Sequence, residues 1–345
     1  MNKKGILVTI TGIVIAFGIG TFFGKTMLYN EKKVSDGSKE QEQAEVNDND
    51  EDENNSVDNN VVSIAEEVSG FRVMTVGTGN PNLDVNRGGA STLVQYKDKY
   101  FLVDCGANAC LTLMNNGLHP SKIDNMLFTH QHNDHNNDFW TFFVGGWGSP
   151  TVRRQLDLIG PGVEDLYTRT VDFYRIDLEY RSNGVGFSAD GVLTNVDIKD
   201  LTEENYEFEL DGVKITAIPV PHTIDTYAYK FEADGQSIVV TGDMTYTEDL
   251  APLAKDCDIL VIDAMLVGEM TDLPEQARNG MRKSLLKSHI SSEEIGEIAA
   301  EAQPKKLVLT HLGGVVDLQA TKDLYKEAGF KGDTIEAKDG MIINP

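Results

Sequence analysis

Thr129-His130-Gln131-His132-Asn133-Asp134-His135 follows the apolar stretch Met126-Leu127-Phe128 and packs four metal-ligand side chains into six residues. Side chains two apart on an extended segment point the same way. His130 and His132 can therefore grip one ion, while Asp134 and His135, at the following bend, turn toward a second. The spacing supports one ion or two. Three further stations lie downstream: His222 after Ile218-Pro219-Val220-Pro221, Asp243 in Thr241-Gly242-Asp243, and His311 in Leu309-Thr310-His311. Each closes an apolar, strand-like run. The chain has seven histidines, and five fall in this set, leaving His119 and His289. A lone histidine at a strand end is often only a hydrogen-bonded structural residue, but five with two aspartates at strand ends form a ligand inventory.

Short apolar runs recur at 71–76, 91–96, 100–104, 125–129, 213–220, 237–241, 259–263 and 306–310, and they read as strands of two sheets. The clearest helical pattern is 291–302, where Ile295, Ile298, Ala299 and Ala302 share one face and Ser291 with Glu294 makes a capping box. The segment 160–206 is longer than a simple connection and carries Tyr167, Phe173, Tyr174, Tyr180 and Phe187 among charges. Its helical part, about 163–176, has aromatic spacing that is read here as packing.

This ordered set resembles the metallo-beta-lactamase superfamily, whose His-x-His-x-Asp-His signature stands here as His130, His132, Asp134 and His135, with the later His, Asp and His stations in the family's order. The resemblance covers about residues 70 to 345. It implies an α/β fold, the four-layer αββα sandwich. It also implies one ion held by His130, His132 and His222, a second by Asp134, His135 and His311, and Asp243 bridging both. Zinc is the expected metal for imidazole and carboxylate ligands, with iron or manganese as alternatives.

Two cations sharing a water lower its pKa toward neutrality, so the expected nucleophile is a bridging hydroxide, with no need of a serine or cysteine. Asp134 has a carboxylate oxygen left to orient that hydroxide. A leaving group then needs a proton. In the phosphodiesterase, ribonuclease Z-like and arylsulfatase-like branch a histidine upstream of the last ligand assists this step, and Ser288-His289 resembles it. Arg87, in the glycine-rich loop Asn86-Arg87-Gly88-Gly89, is a candidate clamp for an anionic ester, with a turn-capping role as the alternative. His119, in Gly117-Leu118-His119-Pro120, reads as a loop residue.

Asp243 and His132 narrow the class. Two-zinc beta-lactamases usually place a cysteine at the Asp243 station, and the diiron oxygen-reducing relatives tend to have glutamate at the His132 station. Val85-Asn86-Arg87 and Phe173-Tyr174-Arg175-Ile176-Asp177 look similar to arylsulfatase-like members.

The first 60 residues stand apart from any core. Asn2-Lys3-Lys4 precedes an uncharged run over 5–24, long enough to span a bilayer, so 1–30 reads as a membrane anchor, with a cleaved signal peptide as the alternative. Residues 31–60 hold eleven acidic and three basic side chains and read as a disordered acidic tether. The hydrolase domain is then 61–345, placed outside the cytoplasm, and of the net charge of −25 the first 30 residues carry +3 and the tether −8, leaving −20 for this domain. Such a surface repels polyanions and disfavours a nucleic-acid partner. Cys105, Cys110 and Cys257 are too few for a disulfide framework and read as small buried thiols. The chain is expected to be a membrane-tethered dinuclear metallohydrolase of a small anionic ester, an aryl sulfate or a phosphodiester. A ribonuclease Z-type endonuclease and a surface metal-binding or sensing module without turnover are the alternatives.

Overall fold

A computed structural model describes residues 63–148, 153–202, 204–271 and 273–345. The expected anchor at 1–30 and tether at 31–60 lie outside the described residues. Among the described residues, no helix is long and apolar enough to cross a membrane.

The described strands are β1 (Phe71–Gly77), β2 (Ser91–Tyr96), β3 (Lys99–Val103), β4 (Asn125–Leu127), β5 (Leu156–Gly160), β6 (Val196–Asp200), β7 (Tyr206–Leu210), β8 (Val213–Val220), β9 (Thr226–Ala233), β10 (Gln236–Val240), β11 (Ile259–Asp263), β12 (Lys306–Thr310), β13 (Asp333–Glu336) and β14 (Met341–Ile343). They form two seven-stranded sheets, in the orders β14-β1-β2-β3-β4-β5-β6 and β13-β12-β11-β10-β9-β8-β7. All eight expected strand runs are present. The six strands not expected include β6, β7, β13 and β14, which are the four sheet edges. Three of these edges carry charge and bury little, as in Val196-Asp197-Ile198-Lys199-Asp200, so they lack the apolar run that marks a central strand, and β14 is only three residues long.

Alternation along each strand builds three apolar layers. Val73, Val94, Phe101 and Val103 of the first sheet meet Ile215, Tyr229, Phe231, Ile238 and Val261 of the second in the inner core. The alternate residues Met74, Leu93, Leu102 and Met126 face outward onto helices that include Phe139–Trp147 and Val163–Phe173. On the other side, Val239, Leu260, Ile262 and Leu309 pack against helices Ser292–Ala302 and Leu318–Ala328. This is the αββα sandwich. A period of two gives each strand two buried faces, one for the partner sheet and one for a helix layer. The capping box is present as expected: the Ser291 hydroxyl accepts from Glu294 N, and the Glu294 carboxylate accepts from Ser291 N.

Strand direction then positions the ligands. β3, β4 and β5 run parallel to one another, as do β10, β11 and β12. β8 is antiparallel to β9, and β9 to β10, so β8 shares the direction of β10. Parallel strands end on one edge of a sheet, and the residues that follow them are brought together there. Two hydrogen bonds join the sheets where the ligand loop begins: the Tyr229 hydroxyl donates to Phe128 O at 2.6 Å, and Tyr227 N donates to Thr129 O at 2.9 Å.

Candidate metal centre

The chain leaves β4 through Phe128 and Thr129 and turns at the short helix Asn133–Asn136. The turn lies on glycine. A side chain at Gly89 or Gly106 would strike the Asp134 carbonyl, and Cys105 N donates to His135 O at 2.7 Å. The glycine-rich approach to β2 and the turn after β3 thus let the ligand loop sit directly on backbone.

Three imidazoles converge first. His130 Nε2 lies 3.0 Å from His132 Nδ1, which lies 3.3 Å from His222 Nε2. Each ring has an outer partner for its proton. His130 Nδ1 meets the Thr129 hydroxyl at 3.0 Å, and that hydroxyl donates to Asp104; His222 Nδ1 donates to Ser288 O at 2.8 Å; His132 Nε2 faces the Thr223 hydroxyl at 3.3 Å. With those protons directed outward, three nitrogen lone pairs face one another. They repel unless a cation lies between them, and the separations match the edge of about 3.3 Å for a tetrahedron with zinc–nitrogen bonds of about 2.0–2.1 Å. Burial, then the neighbouring imidazoles of His135, His222, His132 and His311, hold His130 neutral, well below the ordinary histidine range. Neutral imidazole is the ligand form.

The second group lies across Asp243. Asp134 Oδ2 is 3.1 Å from His311 Nε2 and 3.6 Å from His135 Nε2. Asp243 Oδ1 faces the same two imidazoles, at 3.3 Å from His135 Nε2 and 3.4 Å from His311 Nε2. Its other oxygen, Oδ2, faces the first group, 4.0 Å from His130 Nε2 and 3.9 Å from His222 Nε2. The carboxylate is therefore split between two ligand clusters. Asp243 Oδ1 and His135 Nε2 are buried and make no hydrogen bond, the pattern of atoms whose natural partner is an ion. Burial opposes ionisation of Asp134, but the His311 hydrogen bond and the charges of His135 and His311 keep its carboxyl down at about 2. Burial likewise opposes a charged His311, yet Asp243, Asp134 and Asp263 raise it to about 10. Buried carboxylates thus draw positive charge to the place a divalent cation would occupy, and the donor set fits such an ion.

Two carboxylates behind the ligands were not among the expected site residues. Asp104 accepts from Thr129 N and Thr129 Oγ1, both at 2.7 Å, and from His135 Nδ1 at 2.8 Å. Asp263 accepts from His289 Nδ1 at 2.8 Å through Oδ2, and its Oδ1 is 3.5 Å from His311 Nδ1. Both carry the signal that picked out the ligands: they stand at the ends of the apolar runs Phe101-Leu102-Val103-Asp104 and Ile259-Leu260-Val261-Ile262-Asp263. A carboxylate behind a ligating imidazole fixes its tautomer and raises its basicity. Asp104→Asn is accordingly expected to weaken divalent-metal affinity by about 10- to 100-fold, read by competition with a chromophoric chelator. Unchanged affinity would remove Asp104 from this role.

His289 joins the cluster. It is buried, with Nδ1 also 3.9 Å from Asp243 Oδ2, and its ring stacks on that of His311 at 5.4 Å. Arg87 does not share these contacts. Its guanidinium donates to Thr78 Oγ1, Ala337 O and Glu336 Oε1, each at 2.8 Å, and so ties the glycine-rich loop to the C-terminal end of β13. His119 precedes a short turn and accepts from Ser121 N, and the three cysteines are buried and free.

Imidazole and carboxylate clusters that could hold divalent metal, set at the strand ends of an αββα sandwich, point to a class, the metallohydrolases of this fold. A family model described as "Beta-lactamase superfamily domain" matches residues 99–312, a span that contains every ligand station. The chain is 31% identical over 247 residues to "Ribonuclease Z" of Mycolicibacterium paratuberculosis, covering 70% of this chain and 85% of that protein. Its fold resembles the metallo-beta-lactamase fold protein YhfI from Bacillus subtilis (TM-score 0.60, 20% identity, 79% of this chain and 99% of that one). It also resembles human tRNase Z, short form (TM-score 0.59, 19% identity, 79% and 98%). The chain belongs to the metallo-beta-lactamase superfamily and is a ribonuclease Z-like hydrolase of that fold.

Proposed function

We propose that the chain is a dinuclear, zinc-dependent hydrolase of small anionic diesters, with a phosphodiester as its substrate. The observation that carries this reading is Asp243, whose two oxygens face two separate groups of ligands. The relatives' name, ribonuclease Z, favours phosphorus over the sulfur of an aryl sulfate as the electrophile. Bound divalent ions supply a water that ionises near neutral pH and Lewis acidity toward the ester oxygens.

The chain's own groups do the rest. Asp134 turns Oδ2 to His311 and His135, which leaves Oδ1 to accept a hydrogen bond from the attacking water and aim its lone pair. Asp263 holds His289 by Nδ1, so Nε2 remains to carry the proton that a departing alkoxide needs. Protein loaded with zinc or manganese should hydrolyse bis-p-nitrophenyl phosphate faster than p-nitrophenyl phosphate or p-nitrophenyl sulfate, and a chelator should abolish the turnover. Two bound metals without diester turnover would instead point to a metal-binding module. Faster sulfate hydrolysis would move the substrate to the aryl sulfates.

The second reading, a transfer-RNA endonuclease, rests on the identity to the mycobacterial relative. The net charge of −20 over 61–345 weighs against it, since a polyanion is repelled at long range. Cleavage of precursor transfer RNA at physiological salt, at a rate above that of the small diester, would decide in its favour.

We also propose that residues 1–30 anchor the chain, that 31–60 act as tether, and that the site works outside the cytoplasm; the uncharged run at 5–24 and the acidic composition that follows support this. Removing residues 1–60 should yield a soluble, folded protein with its metal affinity intact. The whole chain should fractionate with membranes and be shaved by external protease; recovery of the intact chain in the cytosol would overturn the topology.

A further inference from the structure

We propose that the end of the sandwich opposite the metal centre carries a different cation site, a clamp for a hard divalent cation built from Asn125, Asp157 and Asp211 that joins the two sheets. β4 and β5 end at the ligand edge, so Asn125, which opens β4, and Asp157, the second residue of β5, stand toward the other edge. The parallel register sets Asn125 beside Asp157, and Asp157 beside Asp197 of β6. Leu127 and Ile159, two residues further along the same strands, lie in the inner core, so this row faces the second sheet. Across from it stands Asp211, in the turn from β7 to β8, where Asp211 and Gly212 have positive φ of 51° and 78°.

Asn125 separates this row from an ordinary solvated acidic rim. The residue is 1% exposed. Its Nδ2 donates to Tyr100 O at 3.1 Å and to Asp211 Oδ2 at 2.9 Å. Both amide hydrogens are thereby committed, which fixes the orientation of the carboxamide and holds it against the carboxylates. Its Oδ1 is buried and, among the described residues, meets no donor. A buried acceptor of this kind calls for a partner, and the negative charge around it favours a cation over a neutral donor. One amide oxygen and two carboxylates form an oxygen-only set that suits calcium or magnesium, whereas the imidazoles at the opposite edge suit zinc.

The charge balance asks for the same ion. Asp124, Asp157, Asp197 and Asp211 act on one another here, and the positive groups that face them are Lys99, Lys122 and the buried Arg153. Arg153 donates to the carbonyls of Ile123, Pro120 and Phe142, and Lys99 pairs with Asp98 at 3.3 Å. Asp157 itself accepts from Gln155 Nε2 at 3.0 Å. Burial, then the carboxylate of Asp197, with Asp211 and Asp124 adding, pushes the Asp157 carboxyl up to about 6. Because this lies above the ordinary carboxylate range, the stability that Asp157 contributes is present at low pH and is lost as pH rises through about 6. Above that pH the row is ionised, and a bound cation takes the place of the proton.

The test follows thermal unfolding of the zinc-loaded chain with calcium chloride, against sodium chloride of equal ionic strength. At about pH 8, calcium at about 10 to 100 times its dissociation constant should raise Tm by about 3–6 °C. At about pH 5, where Asp157 holds a proton, the shift should fall to less than about half of that. Asp157→Asn should raise Tm at about pH 8 without calcium, since it removes the repelled charge. It should also erase the calcium shift and leave zinc content unchanged, because it stands at the far edge from the imidazoles. Asp211→Asn, at an exposed position and still able to accept from Asn125, is the second variant and should erase the shift in the same way. No shift at about pH 8, an equal shift from sodium chloride, or a calcium shift that survives in either variant would overturn the clamp. None of these readouts uses turnover, so the clamp and the hydrolase reading stand or fall separately.

Discussion

Asp243→Ala should retain no more than one tightly held ion per chain and lose about 10³-fold or more in turnover. Its Oδ1 faces His135 and His311 at 3.3 and 3.4 Å, and its Oδ2 faces His130 and His222 at 4.0 and 3.9 Å. Alanine leaves both groups of imidazoles but removes the negative charge shared between two cations, which then repel each other in a buried site. The ion whose remaining ligands include Asp134 keeps a carboxylate, and the all-histidine group does not, so the latter should empty first. A divalent cation supplies several kcal/mol to the developing charge, and at about 1.4 kcal/mol per decade this is on the order of 10³-fold. Metal analysis after gel filtration, beside diester turnover, checks both parts. Two retained ions with near-normal hydrolysis would refute the bridging role.

His289→Ala is the second large effect, and its size should depend on the substrate. His289 lies outside the two groups that hold the expected ligands and meets Asp243, Asp263 and His311 in a third, where its Nδ1 is already taken by Asp263, so metal content should hold. The loss should be small for a p-nitrophenolate leaving group, which departs without a proton, and should grow to about 10²- to 10⁴-fold for an alkoxide. Asp263→Asn should show the same trend in weaker form, because it loosens the imidazole without deleting it. The measurement is a plot of log kcat against leaving-group pKa for the three proteins. Parallel lines would assign His289 a structural role, and loss of metal would make it a ligand.

Much of this site was legible in the sequence, for a reason specific to metal chemistry. The ligands here are histidine or carboxylate, they leave the strands at one edge, and the apolar runs before them mark where strands end. His130, His132, Asp134, His135, His222, Asp243 and His311 meet all three conditions, and the structure brings all seven together. Asp104 and Asp263 meet the same conditions, but a strand-end aspartate is also a common turn residue. Only the contact with His135 in one case and His289 in the other separates support from turn chemistry.

Arg87 shows the opposite limit. A positive charge in a glycine-rich loop near the site suits an anionic ester, yet its guanidinium is taken up by Thr78, Glu336 and Ala337, the last two about 250 residues away along the chain. The edge strands β6, β7 and β13 were hidden because charge along them leaves no apolar run to read, and β14 because it is only three residues long.

The amino-acid order by itself determined eight of the ten central strands, missing β5 and β9, together with the capped helix 291–302 and the ligand list, because period, capping and ligand chemistry are local properties of the chain. Tertiary structure alone decided which oxygen of Asp243 faces which imidazoles, which carboxylates stand behind the ligands, and which rings of the insertion remain in solvent. Those relations are set by packing the two sheets across the inner core of Val73, Val103, Ile238 and Val261, and no spacing along one strand encodes its depth against another.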